Sequence, residues 1–229
     1  MDIEDPTPPS QPVWVQKSLP EVWPERGIDA HESGGINLEW QFNGGDEVAS
    51  YCIYRAEYDD LIDSLSDYIL VENVEVENLE DFSFVDQNIV IGKKYYYKLC
   101  SIDIANNRSI FSDSIQYKST PKVDRSTLSP NSTITALAKT RGLSWNSYYH
   151  MEMTNYIITV IKPPSRVVTR SLFYPASYIG RETWIIPDSV TLDSGQVYLW
   201  RVDTGDEYIN DVETAGSESD WASFLYIGI

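Results

Sequence analysis

Two stretches of the chain carry one pattern twice, about a hundred residues apart. Leu38-x-Trp40 returns as Leu143-x-Trp145, and Tyr51-x-Ile53 returns as Tyr156-x-Ile158, each 105 residues on. Tyr95-x-Tyr97-x-Leu99 returns as Tyr198-x-Trp200-x-Val202, 103 residues on. Large apolar side chains at every second position mark strands that bury one face. A repeat of this length is too long for a solenoid unit. It matches one small all-β domain, so the expected architecture is all-β, with two consecutive β-sandwiches.

The 229 residues suffice for two cores of ordinary size, and 42% of them are apolar. Tyr (16) and Trp (7) outnumber Phe (6). Those two residue types suit half-buried sheets, having an apolar body and a polar tip. Asp59–Tyr68 is the best helical candidate, because Leu61, Leu65 and Tyr68 have helix-like spacing.

The expected strands of the first half are Val13–Val15, Ile36–Trp40, Val48–Arg55, edge strands within Tyr68–Val76, Phe82–Asp86, Lys94–Asp103 and Ser109–Tyr117. Gly92 makes a corner, and Ala105–Arg108 is a hairpin turn with Asn107 in the φ-positive position. Thr120-Pro121-Lys122 is the linker. The second half follows with Thr133–Leu137, Leu143–Trp145, Asn155–Ile161, Val167–Leu172, Thr183–Ile186, Val197–Thr204 and Trp221–Tyr226. The domains are therefore expected at 12–119 and 120–229, after a tether at 1–11.

This order resembles tandem fibronectin type III domains, the immunoglobulin-like sandwich family found in bacterial exported and surface proteins. The resemblance rests on Leu38, Trp40, Tyr51, Ile53, Gly92, Tyr95, Asp103, Asn107 and Ser109 in the first half. In the second it rests on Leu143, Trp145, Tyr156, Ile158, Gly195, Tyr198, Trp200, Val202 and Ser219-Asp220-Trp221. It places Tyr95 and Tyr198 at the tyrosine corner, where a phenol oxygen ties a strand to the backbone. The second half departs at Ser129-Pro130-Asn131 and in a long loop around Phe173–Arg181. The resemblance implies binding, spacing or adhesion; a fold alone does not give a function.

A formal net charge of −18 argues against nucleic acid or an anionic membrane surface as partner. No apolar run reaches the ~20 residues needed to span a bilayer. The opening, Asp2 to Pro12, is a charged, proline-rich tether. It reads as the start of a mature exported protein, compatible with a lipid anchor on the precursor. The expected location is extracellular, periplasmic or on the cell surface.

Catalysis is not expected. The two histidines, His31 and His150, sit in loops, and Asp29-Ala30-His31-Glu32-Ser33 is one polar loop rather than groups assembled from separate strands. Acidic groups at Asp59/Asp60/Asp63 and at Asp203/Asp206/Glu207/Asp211 lack calcium-loop spacing, so no metal or cofactor is expected. Sequons begin at Asn107 and Asn131. Trp40, Trp145, Trp200 and Trp221 fit core or near-core positions, while Trp14 belongs to the first strand.

Recognition is left to loops and one outer stripe. Trp23 lies in an insertion between the first two strands, about Lys17 to Gly34. Tyr148, Tyr149 and Tyr208 fall in loops expected near the domain junction, where aromatics beside a short linker imply a packed junction. By strand parity Cys52, Tyr54, Tyr96, Cys100 and Ile102 share the outward face of one sheet, and an apolar stripe there marks a docking surface. Cys52 and Cys100 fall on adjacent strands of that sheet, either as two free thiols or as a cross-strand disulfide. The function expected is a non-catalytic exported binding or spacer module with a protein partner. The alternative is a carbohydrate-binding accessory protein using Trp23, Tyr148 and Tyr149 as stacking platforms for a glycan.

Overall fold

The computed structural model describes residues 7–15, 27–41, 48–76, 82–137, 140–147, 155–175, 180–205, 208–209, 212–213 and 215–228. Close packing divides the chain into Met1–Ser119 with Ile209–Thr214, and Thr120–Tyr208 with Ala215–Ile229. Both units are all-β. No helix among the described residues is long and apolar enough to cross a membrane.

The first unit contains β1 (Val13–Trp14), β2 (Ile28–Ala30), β3 (Ile36–Gln41), β4 (Val48–Asp59), β5 (Ser64–Leu65), β6 (Ile69–Glu75), β7 (Ser83–Asp86), β8 (Lys94–Asp103) and β9 (Ile115–Ser119). One sheet centres on β3, with β1 and β2 pairing along it and β7 pairing with it too. The other runs β6-β4-β8-β9, all antiparallel. Alternation builds the core between them: Ile36, Leu38 and Trp40 face Tyr51, Ile53, Tyr95, Tyr97 and Leu99. Trp14 joins this core at 5% exposure, and its indole N–H donates to the Asp113 carbonyl at 2.8 Å.

Four expectations change. The first strand is itself split: β1 and β2 lie along β3 on either side of residues 16–26, so the insertion falls within that strand rather than after it. Gly27, at φ +77°, brings the chain back; a Cβ there would sit 2.8 Å from the Trp14 Cβ and 2.9 Å from the Glu39 carbonyl. The Asp59–Tyr68 segment is a hairpin, not a helix. Asp59 pairs with Ser64, Asp63 turns at φ +50°, and Leu61 is 95% exposed, leaving the helical spacing no face to bury. Asn106, not Asn107, takes the positive φ; the Asn107 backbone and side-chain amides both donate to the Asp103 carboxylate instead. Finally, residues 7–11 are not wholly a free tether: the Ser10 carbonyl accepts from Ser101 Oγ at 2.9 Å, and Gln11 Nε2 donates to the Phe111 carbonyl at 2.7 Å.

The second unit contains a 3-10 turn at Arg125–Thr127 capped by Asp124, then β10 (Ala136–Leu137), β11 (Gly142–Ser147), β12 (Asn155–Lys162), β13 (Arg166–Phe173), β14 (Gly180–Ile185) and β15 (Gln196–Gly205). β16 (Tyr208–Ile209) and β17 (Val212–Glu213) come next in the chain, with Ile209 and β17 counted in the first unit. β18 (Ala215–Glu218) and β19 (Ala222–Tyr226) complete the second unit. β11 pairs with β14. β13, β12 and β15 run side by side, and β15 pairs next with β18 and β19. The opening segment bridges Ser129 to Ser144, then crosses to run parallel to β19 at Ala136–Leu137. That crossing explains the departure at Ser129-Pro130-Asn131. The Trp200 indole N–H donates to the Pro130 carbonyl at 2.8 Å and pins it. Trp145 packs edge-on against Tyr156 and Phe173, at 5.3 and 5.4 Å between centroids.

Each unit is an immunoglobulin-like sandwich of the fibronectin type III kind, and two repeated bonds fix the same corners in both. The Val90 N–H donates to the Tyr95 hydroxyl at 2.9 Å, and the Asp193 N–H to the Tyr198 hydroxyl at 2.7 Å. Ser112 Oγ accepts from the Leu99 N–H and Ser219 Oγ from the Val202 N–H, both at 3.0 Å. There a serine hydroxyl replaces a ladder bond where the last strand bulges away.

Candidate functional site

The outward side of β6-β4-β8 carries the densest unusual chemistry. Alternation along β4 turns Cys52, Tyr54 and Tyr58 outward, and along β8 it turns Lys94, Tyr96, Lys98, Cys100 and Ile102. The register sets Cys52 opposite Cys100, Tyr54 opposite Lys98 and Ala56 opposite Tyr96. The structure thus brings Tyr54, Tyr96 and Ile102 to one face, as the sequence parity expects.

That face is not the bare stripe expected. Tyr54, Tyr96 and Ile102 are half-buried, and Cys52 and Cys100 are 3% and 0% exposed. A second layer overlies them. The Phe111 ring stands edge-on to Tyr54 at 5.2 Å. Lys98 Nζ lies 4.0 Å from the Tyr68 ring centre and 4.2 Å from that of Phe111. Tyr58 packs on Tyr96 at 6.2 Å and receives Lys94 Nζ at 5.3 Å. Arg108 donates to the Tyr54 hydroxyl at 3.0 Å, and Tyr68 bonds Ser114 at 2.8 Å.

The physical cause is the irregular chain from Ser109 to Ser114. It meets β8 through serine hydroxyls rather than a continuous ladder, which frees Phe111 to fold over the face. The expected strand Ser109–Tyr117 begins only at Ile115, as β9 (Ile115–Ser119), and the expected edge strand from Tyr68 begins at Ile69; parity along those expected strands therefore misplaces Phe111 and Tyr68, which reach the face from outside any strand. Lys98 was accessible to the same parity that found Tyr96 and Cys100. Exposed apolar groups adjoin the covered centre: Leu70, opposite Tyr54 in the register, at 52%, and Ile110, next to Phe111 in the chain, at 71%.

Burial pushes the Cys100 thiol up to about 11, and Cys52 beside it adds to the rise while Arg108 pulls the other way. Burial raises the Cys52 thiol as well. Both are free thiols. The hydrogen bond to Asp63 pushes the Tyr58 phenol up to about 12.

The corresponding face of the second unit is polar and internally paired. Arg201 stands 103 residues after Lys98 and lies 4.9 Å over the Trp221 ring, so Trp221 belongs to this outer face and not to the core. Arg201 Nε donates to Asp203 Oδ2 at 3.1 Å, and its guanidinium also donates to Glu218. Arg170 donates to Thr159 at 3.1 Å. Burial pushes the Asp203 carboxyl up to about 7, against the pull of Arg201 and with Glu218 adding to the rise.

Trp23, Tyr148, Tyr149 and His150 lie outside the described residues; Tyr208 opens β16, and its side chain lies outside them too. His31 Nδ1 bonds Ser33 at 2.7 Å, and residues 31–35 close the turn between β2 and β3. Among the described residues no three His, Cys, Asp or Glu side chains gather as a metal site: Asp59 caps the Leu61 N–H, Asp63 takes the Tyr58 hydroxyl, and Asp203 takes Arg201. An open groove of about 530 Å³ on the second unit is lined by hydroxyls and amides, among them Thr127, Asn131, Ser132 and Asn146, with Arg181. Among the described residues, none of its lining side chains is aromatic.

The strand order and this aromatic face define a chain of two fibronectin type III-like sandwiches. No protein-family model matches it, and no curated protein does. Among solved structures it is similar to the FN1–FN3 domains of chicken CNTN1, at 12% identity over 96% of this chain and 69% of that one, with a TM-score of 0.38. It is also similar to a β-1,2-glucanase from Parabacteroides distasonis, at 25% identity over 48% of this chain and 12% of that one, with a TM-score of 0.34.

Proposed function

We propose that the chain is a non-catalytic, exported binding and spacer module, and that its first sandwich docks a protein partner on the outer face of β4, β6 and β8. The observation that carries this is the layer of Tyr54, Tyr58, Tyr68, Tyr96 and Phe111 rings interleaved with Lys94, Lys98 and Arg108. Aromatic residues and arginine are the side chains enriched where proteins bind proteins. Three cations gathered on one face of a chain with net charge −18 favour a partner surface that offers carboxylates beside apolar groups.

A photo-reactive amino acid at position 111, in cells that make the full chain, tests this. A crosslinked species should form there, disappear on Lys98→Glu, and be absent when the probe stands at exposed Val167 on β13 of the second unit. Equal crosslinking at both positions, or indifference to Lys98→Glu, would refute the assignment. The alternative, a carbohydrate-binding accessory protein, draws on Trp23, Tyr148 and Tyr149 and on the hydroxyl-lined groove. Saturable binding on a glycan array that is lost with Trp23→Ala would select it.

A further inference from the structure

We propose that Cys52 and Cys100 form a reversible dithiol–disulfide couple, whose oxidised form is a strained cross-strand bond that small thiols reduce, rather than a permanent staple. Three observations carry this. The two residues are direct partners in the β4–β8 register. Their side chains are within hydrogen-bonding reach of each other, and Cys52 Sγ also donates to Asn73 Oδ1 at 3.2 Å. The third observation is which type of pair they make.

Leu99 and Ser101 spend both main-chain polar groups on the Ser109–Ser112 side. The Leu99 and Ser101 N–H groups donate to Ser112 Oγ and Ser109 Oγ, each at 3.0 Å. Their carbonyls accept from the Ser112 and Ser109 N–H groups, at 2.8 and 3.0 Å. Main-chain groups alternate in direction along a strand, so those of Cys100 point at β4. Cys52 and Cys100 are therefore a hydrogen-bonded pair, for which the Cα separation is typically about 5.5 Å. That lies within the ~4.4–6.8 Å a disulfide spans. Side chains are farther apart here than in a non-hydrogen-bonded pair, so closing the bond twists the strands. Strained disulfides have the more oxidising potentials and are the labile ones.

Burial shields both sulfurs from bulky reagents, so the oxidant is small, of the peroxide class. Cys52, the slightly more exposed, attacks one peroxide oxygen as thiolate; the O–O bond breaks, giving the Cys52 sulfenic acid and, with a proton, water. The Cys100 thiolate then attacks the Cys52 sulfur, the S–S bond forms, the S–O bond breaks, and the hydroxide takes the remaining proton as a second water. Two thiols lose two electrons and two protons, and one peroxide becomes two waters. Arg108, close enough to act on both sulfurs, stabilises each thiolate as it forms. Reduction by two small thiols reverses the change.

The test uses the full chain, purified reduced and then exposed to hydrogen peroxide under native conditions. The intact mass should fall by the two hydrogens of one disulfide, with a linked peptide joining Cys52 to Cys100. In a glutathione series of graded thiol-to-disulfide ratio, both forms should coexist over part of the range. Cys52→Ser and Cys100→Ser should each abolish the mass loss; if either fails to fold, the linked peptide of the unaltered chain decides alone. A chain that keeps both thiols under peroxide while its urea-unfolded form oxidises would overturn the proposal. So would a bond that stays closed at every glutathione ratio, or crosslinking only between chains. The outcome is independent of the docking face, because it is read on the isolated chain.

Discussion

Asp86→Ala should be among the most damaging single substitutions in the first unit, and its cost follows from one buried network. The carboxylate is 3% exposed and lies 2.7 Å from Arg55, itself 10% exposed. It also accepts from the Tyr97 hydroxyl and the Asn88 N–H, each at 2.9 Å. Burial works against the Arg55 charge, and the hydrogen bond and charge of Asp86 more than offset it. Burial and then the same Asp86 charge push the Tyr97 phenol up. Without Asp86, Arg55 retains the Asn88 carbonyl and the face of the Tyr95 ring, while its Nε is buried with no hydrogen-bond partner. Breaking a buried pair by removing one partner costs about 3–5 kcal/mol.

Arg55→Met should cost about half as much. The Asp86 carboxylate would keep its Tyr97 and Asn88 donors, whereas the guanidinium left behind in Asp86→Ala already has a buried Nε without a hydrogen-bond partner. The triple change Arg55→Met, Asp86→Leu and Tyr97→Phe should recover most of the loss, since well-packed apolar replacements of buried ion pairs are often neutral. Tryptophans lie in both units, three in the first and four in the second, so whole-chain fluorescence mixes the two and the assay is peptide-resolved hydrogen exchange in mild urea. Amides of β4 and β8 should exchange roughly a thousandfold faster in Asp86→Ala, at about 1.4 kcal/mol per factor of ten. Amides of β12 and β15 should be unmoved. A cost under about 1 kcal/mol, or an Arg55→Met more damaging than Asp86→Ala, would refute the reasoning.

Ser112→Ala and Ser219→Ala should each cost about 1–3 kcal/mol in their own unit, because each strands a buried N–H, of Leu99 and Val202 respectively. Ser→Thr should be far milder at both, and urea midpoints check this. The second unit should become less stable as pH rises through 7. Asp203 has its carboxyl raised to about 7 in the fold, so its contribution is fully present below the ordinary carboxylate range and lost as pH climbs through 7, by at most about 1.4 kcal/mol per pH unit. Glu218 on β18, Arg201 on β15 and Arg170 on β13 share its surroundings. Asp203→Asn should remove this dependence, so that the wild-type-minus-variant stability difference falls between pH 5 and 8; a variant that tracks the wild type across that range would refute the assignment.

The sandwich was readable because packing repeats it. Tyr95, Tyr97 and Leu99 recur as Tyr198, Trp200 and Val202 since each must fill the same space between two sheets, and period-two alternation survives any change of partner. The Lys94–Asp103 strand was readable to the residue. The Asp59–Tyr68 hairpin was not, since a helical spacing of Leu61, Leu65 and Tyr68 has meaning only if a surface waits to receive it, and none does. The aromatic cover was not either. Phe111 reaches Tyr54 from an irregular segment, and no spacing rule describes a ring that arrives from outside a strand. The serine bonds had a signal, the recurrence of Ser112-Asp113 as Ser219-Asp220, that spacing alone could have found.

Comparing the two copies separates what folding demands from what it leaves free. Inward positions keep their chemistry, as do the phenol and serine bonds at the corners. Outward positions of the same strands do not, nor does the residue before the corner serine: Lys98 and Cys100 stand where the second copy has Arg201 and Asp203, and Phe111 precedes Ser112 where Glu218 precedes Ser219. In the second unit that face closes on itself, with Arg201 paired to both Asp203 and Glu218. In the first, the charges rest on aromatic rings, which bind a cation without consuming its hydrogen-bonding capacity. Lys98 lies over two rings and still has three N–H donors to offer. A face built that way has attraction left to give to another molecule, and this difference between the copies is the reason to look for the partner on the first sandwich.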